Sequence, residues 1–165
     1  MSDASSLNIE PRVESLGVDH LVAIDQIMQR AFDPRYGEAW NSAQVLATLA
    51  MPGYRLRGCW PGRADSHLAG FAITRIVAGE SELLLLAVDP DARRRGVAAA
   101  LMQDWIDTCR ERGVDTAFLE MREDNDARHL YQRFGFCDVA LRKSYYQGAD
   151  GVARNAVTMK LTLLS

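Results

Sequence analysis

The chain is short of the features that most quickly betray a function. Its three cysteines, Cys59, Cys109 and Cys137, are an odd number without paired metal-ligand spacing, so neither a disulfide framework nor a zinc site is expected. Each falls inside a predicted strand or helix, where a buried thiol is the expectation. His20, His67 and His129 stand apart, with no ligand spacing and no serine or cysteine partner pattern, and no metal is expected. No apolar run approaches the roughly 20 residues that span a bilayer, and the first ten residues lack the basic start and long apolar segment of a signal peptide. The expectation is a cytoplasmic protein with no membrane partner. Charge of one sign is also missing: 19 Lys and Arg against 22 Asp and Glu leave a net −3, which gives no footprint for general nucleic-acid binding. There is no internal repeat and no low-complexity linker. What remains is 48% apolar and 25% charged residues in 165, an ordinary globular composition and enough chain for one hydrophobic core. Residues 1–8, small and polar, are expected to be disordered, and residues 9–165 to form a single domain.

Periodicity orders that domain. Residues 9–15 alternate like a strand interrupted by Pro11; Asp19 is placed to cap a helix whose apolar face is Leu21, Val22, Ile24, Ile27, Met28 and Ala31. Pro34 and Gly37 mark a loop over residues 32–40, and Asn41 or Ser42 starts a second helix running to Ala50. Strand-like stretches follow at 54–60 and 67–77, joined by a polar turn at 61–66, and then a turn at Ala78-Gly79-Glu80. Further on, 116–121 reads as a buried strand, Asp126 as the cap of a helix to Phe134, and 136–146 with 152–163 as a hairpin. The order β-α-α-β-β-β-α-β-α-β-β predicts an α/β (α+β) domain, a mixed sheet with helices on both faces.

The centre of this plan is residues 81–112. Leu83-Leu84-Leu85-Leu86-Ala87-Val88 is the unbroken apolar run of a strand buried on both faces. Asp89-Pro90 stops it. Arg93-Arg94-Arg95-Gly96-Val97-Ala98 then leads into an amphipathic helix with Val97, Leu101, Met102, Trp105, Ile106 and Cys109 on one face and Gly113 past its end. A strand that enters a helix through a basic turn offers free N–H groups to an anion. The turn is neither a nucleotide P-loop nor a dinucleotide fingerprint; an arginine-rich, solvated helix start is the alternative reading.

The sequence Leu86-Ala87-Val88-Asp89-Pro90 followed by Arg93-Arg94-Arg95-Gly96-Val97-Ala98 resembles the acetyl-CoA motif of the GCN5-related N-acetyltransferase (GNAT) superfamily. Downstream, Leu119-Glu120-Met121-Arg122 and Leu130-Tyr131-Gln132-Arg133-Phe134-Gly135-Phe136 resemble its RimI-type branch, which acetylates N-terminal alanines. The similarity covers about residues 68–161, with the motifs in the family's order. It implies a mixed, mostly antiparallel sheet of about seven strands flanked by about four helices, and acetyl-CoA (coenzyme A) as the donor.

The resemblance also implies roles. Arg93, Arg94, Arg95, Gly96, Val97, Ala98 and Ala99 would grip the pyrophosphate. Leu86, Ala87 and Val88 would offer main-chain groups to pantetheine and thioester, with Val88 N–H polarising the carbonyl. Glu120 would be the general base; read from the residues alone, a glutamate between Leu119 and Met121 points either into a site or to solvent. Tyr131 would be the general acid, and a core tyrosine is the plain alternative. Asn125 matches a coenzyme A contact, though it stands one residue nearer Tyr131 than the family pattern. Around the acceptor, Glu38 is placed to attract an ammonium, Trp40 to wall a groove, and Tyr145 with Tyr146 to face it. The expected reaction is acetyl transfer to the N-terminal α-amine of a protein or peptide, a ribosomal protein included, by direct attack in a ternary complex. A small-molecule amine acceptor (polyamine or aminoglycoside) and a non-catalytic acyl-CoA-binding module stay open, as does the choice between monomer and homodimer.

Overall fold

A computed structural model describes residues 10–62 and 67–163. The expected disorder of residues 1–8 and most of the turn at 61–66 lie outside the described residues. Strand β1 (Arg12–Ser15) begins just past Pro11, which has no N–H to give a ladder. It leads to α1 (Leu21–Ala31) and α2 (Ser42–Ala50). Then come β2 (Tyr54–Trp60), β3 (Gly70–Val77), β4 (Glu80–Val88) and α3 (Val97–Glu111). The chain closes with β5 (Thr116–Arg122), α4 (Arg128–Arg133), β6 (Cys137–Gln147) and β7 (Ala153–Thr162).

The seven strands form one sheet in the order β1-β2-β3-β4-β5-β7-β6. Every neighbour pair is antiparallel except β4 with β5, the one pair joined through a crossover helix. Helix α3 packs Val97, Leu101, Met102, Trp105, Ile106 and Cys109 on one face of the sheet, joined by Tyr131 of α4. Ile24, Ile27 and Met28 of α1 and Val45 of α2 cover the other. Trp105 stacks on Phe136 at 5.6 Å and donates its indole N–H to Ser81 Oγ at 2.8 Å. The hydroxyl in turn donates to Arg75 O at 3.0 Å, so this buried serine is satisfied.

Several local expectations change. Asp19 does not cap α1: it sits in a 3₁₀ turn (Val18–His20), and Gly17 N–H donates to His20 Nδ1 instead. Asp126 does not cap α4, because Asn125 Oδ1 reaches Ala127 N–H first, at 2.9 Å. The strand expected from residue 67 begins at Gly70. Cys59 and Cys109 are buried, but Cys137 is exposed, because β6 lies at the sheet's open edge with almost every residue in solvent.

Strand β4 carries a bulge that the sequence pattern does not announce. Ile73 pairs with Leu85 but Thr74 with Leu83, which leaves Leu84 as an extra, bulged residue. A bulge reverses which side chains face which way. Leu83 therefore packs toward α3, whereas Leu85 and Ala87 pack toward α1, and Leu84, Leu86 and Val88 are only partly buried. The apolar run packs on both faces of the sheet, as expected, and part of it also lines a cleft.

Candidate active site

That cleft opens because β4 and β5 part. Their parallel ladder runs from Glu80 opposite Thr116 to Leu83 opposite Leu119 and stops there. Beyond it β5 stays paired to β7 as far as Arg122 opposite Ala156, and β4 stays with β3 up to Val88 opposite Gly70. The β5-facing edge of Leu84 to Val88 thus has no strand against it. A cavity of about 340 Å³ fills the gap, lined by Leu83 to Leu86, Leu119, Glu120, Met121, Tyr131 and Tyr146 from the strands and α4, and by Asn125 from the turn between β5 and α4. Phe32, Glu38 and Trp40 from the segment between α1 and α2, with Gln44 of α2, close it.

Glu120 and Tyr131 thus share one cavity. The Glu120 side chain is 21% exposed and its Oε2 accepts a hydrogen bond from Arg142 Nη2. Tyr131 is buried at the end of α4, and its hydroxyl has no hydrogen-bond partner among the described residues. Burial, and then the nearby Glu38 charge, push the phenol up to about 12, so it holds its proton at neutral pH. The same causes, burial first and then Glu120 and Glu38, push Tyr146 up to about 12.

The anion-binding end lies beyond Val88. Gly96 takes a left-handed conformation (φ +77°) at the start of α3, and no side chain caps the helix. Ala100 N–H is the first to bond back, to Gly96 O at 2.9 Å, so the amides of Val97, Ala98 and Ala99 are left for an outside acceptor. They open on a cavity of about 690 Å³ lined also by Val88, Arg93, Arg94, Asn125 and Arg133. Arg94 is held at φ +62°, a left-handed backbone rare outside glycine. A third cavity, about 300 Å³, shares Leu86, Asn125 and Tyr131 with the first and Val88, Arg93 and Ala98 with the second, making one continuous path. An uncapped helix start with three arginines beside it fits the pyrophosphate of coenzyme A. Arg95 departs from the expected grip: it lines a different cavity, with Arg30, Asp89 and Asp91.

On the acceptor side Trp40 lines the cavity but Tyr145 does not; it is 49% exposed and its neighbour Tyr146 takes the lining position. Glu38 is engaged, accepting from Arg122 Nη1 at 2.6 Å. Burial raises the Glu38 carboxyl above its usual range, against the pull of Arg122. Arg122 is itself buried, bonds Asp124 at 2.8 Å, and lies 3.4 Å from the centre of the Tyr36 ring. Arg154 and Arg35 approach the same ring at 4.8 and 5.0 Å. Tyr146, expected with Tyr145 on the acceptor wall, does line the cavity. Arg122, Tyr36 and Arg142 are the site residues missed in the sequence: Arg122 sat beside a motif residue that drew the attention, and Tyr36 and Arg142 carried no signal in spacing.

A divided parallel strand pair, a carboxylate and a phenol in the gap, and an uncapped basic helix start are an arrangement that suits acyl transfer from a phosphate-bearing cofactor. The chain belongs to the acetyltransferase (GNAT) family, with the match spanning residues 22–136. It is an N-acetyltransferase that draws on acetyl-CoA. Over 101 residues it is 42% identical to the ribosomal protein bS18-alanine N-acetyltransferase of Salmonella typhimurium, covering 61% of this chain and 68% of that one. The Escherichia coli K12 enzyme of the same name is 41% identical over 100 residues, 60% of this chain and 67% of its own. The crystal structure of the ribosomal-protein-S18-alanine N-acetyltransferase from Escherichia coli superposes with a TM-score of 0.82 at 32% identity, covering 94% and 95% of the two chains.

Proposed function

We propose that residues 9–165 act as a single domain that acetylates the N-terminal α-amine of a protein or peptide, in the manner of the bS18-alanine N-acetyltransferases, in the cytoplasm. The observation that carries the reading is the pairing of Glu120 and Tyr131 across one cavity of about 340 Å³, at the point where β4 leaves β5. Acetyl-CoA, when bound, supplies an acyl thioester. The amides of Val97, Ala98 and Ala99, with Arg93 and Arg94, would hold its pyrophosphate, and Val88 N–H would polarise the thioester carbonyl. Asn125, at the junction of the cavities, orients the cofactor chain.

An acceptor amine arrives protonated at neutral pH, so the site needs a base. Glu120 takes that proton, directly or through a water, at the carboxylate oxygen that Arg142 leaves free. Tyr131 holds a proton at Oη and gives it to the departing sulfur. Transfer is direct. No cysteine lines any of the three connected cavities, and burial pushes the Cys59 thiol up to about 11, far from a nucleophilic thiolate. Trp40 and Tyr146 wall the acceptor and Glu38 gives its entrance a negative side.

The test is thiol release from acetyl-CoA with short peptides that differ at their first residue, beside spermidine and an aminoglycoside. Turnover on alanine- or serine-starting peptides, abolished by blocking their amino termini, supports the reading. Turnover on the small amines alone overturns the acceptor and keeps the chemistry.

A further inference from the structure

We propose that Arg142, seated on the ring of Tyr145, is a positioning residue that fixes the Glu120 carboxylate for proton transfer. The inference rests on the reading of Glu120 as the base. Glu120 lies on β5 and Arg142 on β6, with β7 between them, so the contact spans two strand spacings, roughly 10 Å. The register makes this possible. Arg142 is opposite Ala156 and Glu120 opposite Thr158, so the guanidinium passes over small β7 side chains. It reaches Glu120 with Nη2 on Oε2. Oε1 accepts no hydrogen bond among the described residues and is left for the substrate side.

The other face of the guanidinium is covered: its Cζ stands 3.8 Å from the centre of the Tyr145 ring. An irregularity in β6 delivers that ring. Pairing passes from Arg142 with Ala156 to Tyr146 with Arg154, four residues against two, so the segment between them bulges. Ser144 takes a left-handed backbone (φ +53°), and its N–H donates to Asn155 Oδ1 at 3.0 Å. Asn155 Nδ2 donates to Glu123 Oε2 at 2.8 Å, which anchors the bulge to the residues after β5. Bulges beside sites re-aim side chains, and this one sends Tyr145 onto Arg142 and Tyr146 into the cavity. Neighbouring cations are occupied elsewhere: Arg122 holds Glu38 and Asp124, and Lys160 lies over Phe118. A glutamate has freely turning side-chain bonds; held by one oxygen, it presents the other in a fixed place.

The experiment pairs kinetics with a spectroscopic signal. With acetyl-CoA and an alanine-starting peptide, Arg142→Ala is expected to lower kcat roughly ten- to hundredfold, the scale of a misplaced catalytic group, with KM for acetyl-CoA unchanged. Arg142→Lys and added guanidinium restore part of it. Tyr145→Ala lowers kcat as well. Adding Arg142→Ala to Glu120→Gln costs nothing more. At fixed pH the Glu120 carboxyl ¹³C signal, assigned by its loss in Glu120→Gln, moves in Arg142→Ala and returns toward its place in Arg142→Lys. A wild-type kcat in Arg142→Ala, additive losses in the double variant, or a carboxyl signal that does not move overturns the proposal. Full activity of Glu120→Gln overturns the base reading instead. A wild-type enzyme inactive on the peptide overturns the acceptor, and the carboxyl signal then decides for Arg142.

Discussion

At the scale of single residues the proposed base and acid sit in different environments. Glu120 sits beside a guanidinium in a part-open wall, whereas Tyr131 is buried with its phenol pushed up to about 12. Replacing Glu120 by Gln is expected to lower kcat by about 10² to 10⁴, the usual span for general base catalysis, while acetyl-CoA affinity measured by calorimetry stays within error. Tyr131→Phe keeps the ring packed against Phe136, 6.4 Å away, so its melting temperature should hold while kcat falls. Because the folded phenol's pKa is raised, Tyr131 stays protonated until pH about 12. The alkaline limb of a wild-type rate profile below that pH should therefore be unchanged by Tyr131→Phe; a limb that disappears in the variant would show that Tyr131 itself titrates below that pH. That these two residues meet was legible in the sequence, because each stands inside a motif of the resembled family, and both line one cavity. Arg142 was not, for its partner is 22 residues away and is brought within reach by a sheet order in which β7 enters between β5 and β6.

At the scale of elements, amphipathic periodicity located both long helices and the strand order. Local hydrogen bonding decided their edges, which is why Asn125 and not Asp126 opens the turn before α4. The helix that carries the anion end is held by Trp105, which is buried, stacked on Phe136 and bonded to Ser81. Trp105→Ala should cost about 3 to 5 kcal/mol in denaturant unfolding, as large-to-small core changes do. The connection between β6 and β7 has its own pH sensitivity. Asp150 accepts from Arg154 and from Val152 N–H, and these bonds, in that order, hold its carboxyl well below the usual range. A depressed folded pKa contributes stability above the unfolded value and loses it as pH falls through the folded one. The protection of the Val152 amide relative to its intrinsic exchange rate should therefore fall on acidification below the ordinary carboxylate range, and Asp150→Asn should show the lower protection already at neutral pH.

At the scale of the molecule, the two segments that flank the acceptor side touch each other. Ala149 N–H donates to Arg35 O at 2.9 Å. A Cβ on Gly148 would stand 2.9 Å from that same carbonyl oxygen and 2.5 Å from Arg154 Nη1. Gly148→Val is expected to part the two segments, raising KM for a peptide acceptor severalfold while acetyl-CoA binding is kept; equal effects on both would show a general loss of fold.

The extra residue in β4 makes the strand behave like a parity bit. Before Leu84 the odd-numbered side chains face α3; after it they face α1. The bulge is a spare position: an in-frame deletion of Leu84 makes Leu83 and Leu85 adjacent, and adjacent residues of a regular strand face opposite ways, as these two already do. The ladder closes over the gap and Leu85 and Ala87 keep their places against α1. In β3 each residue is matched one to one and no such spare exists. A library of single-codon deletions should therefore tolerate the loss of Leu84 better than the loss of Ala72 in β3.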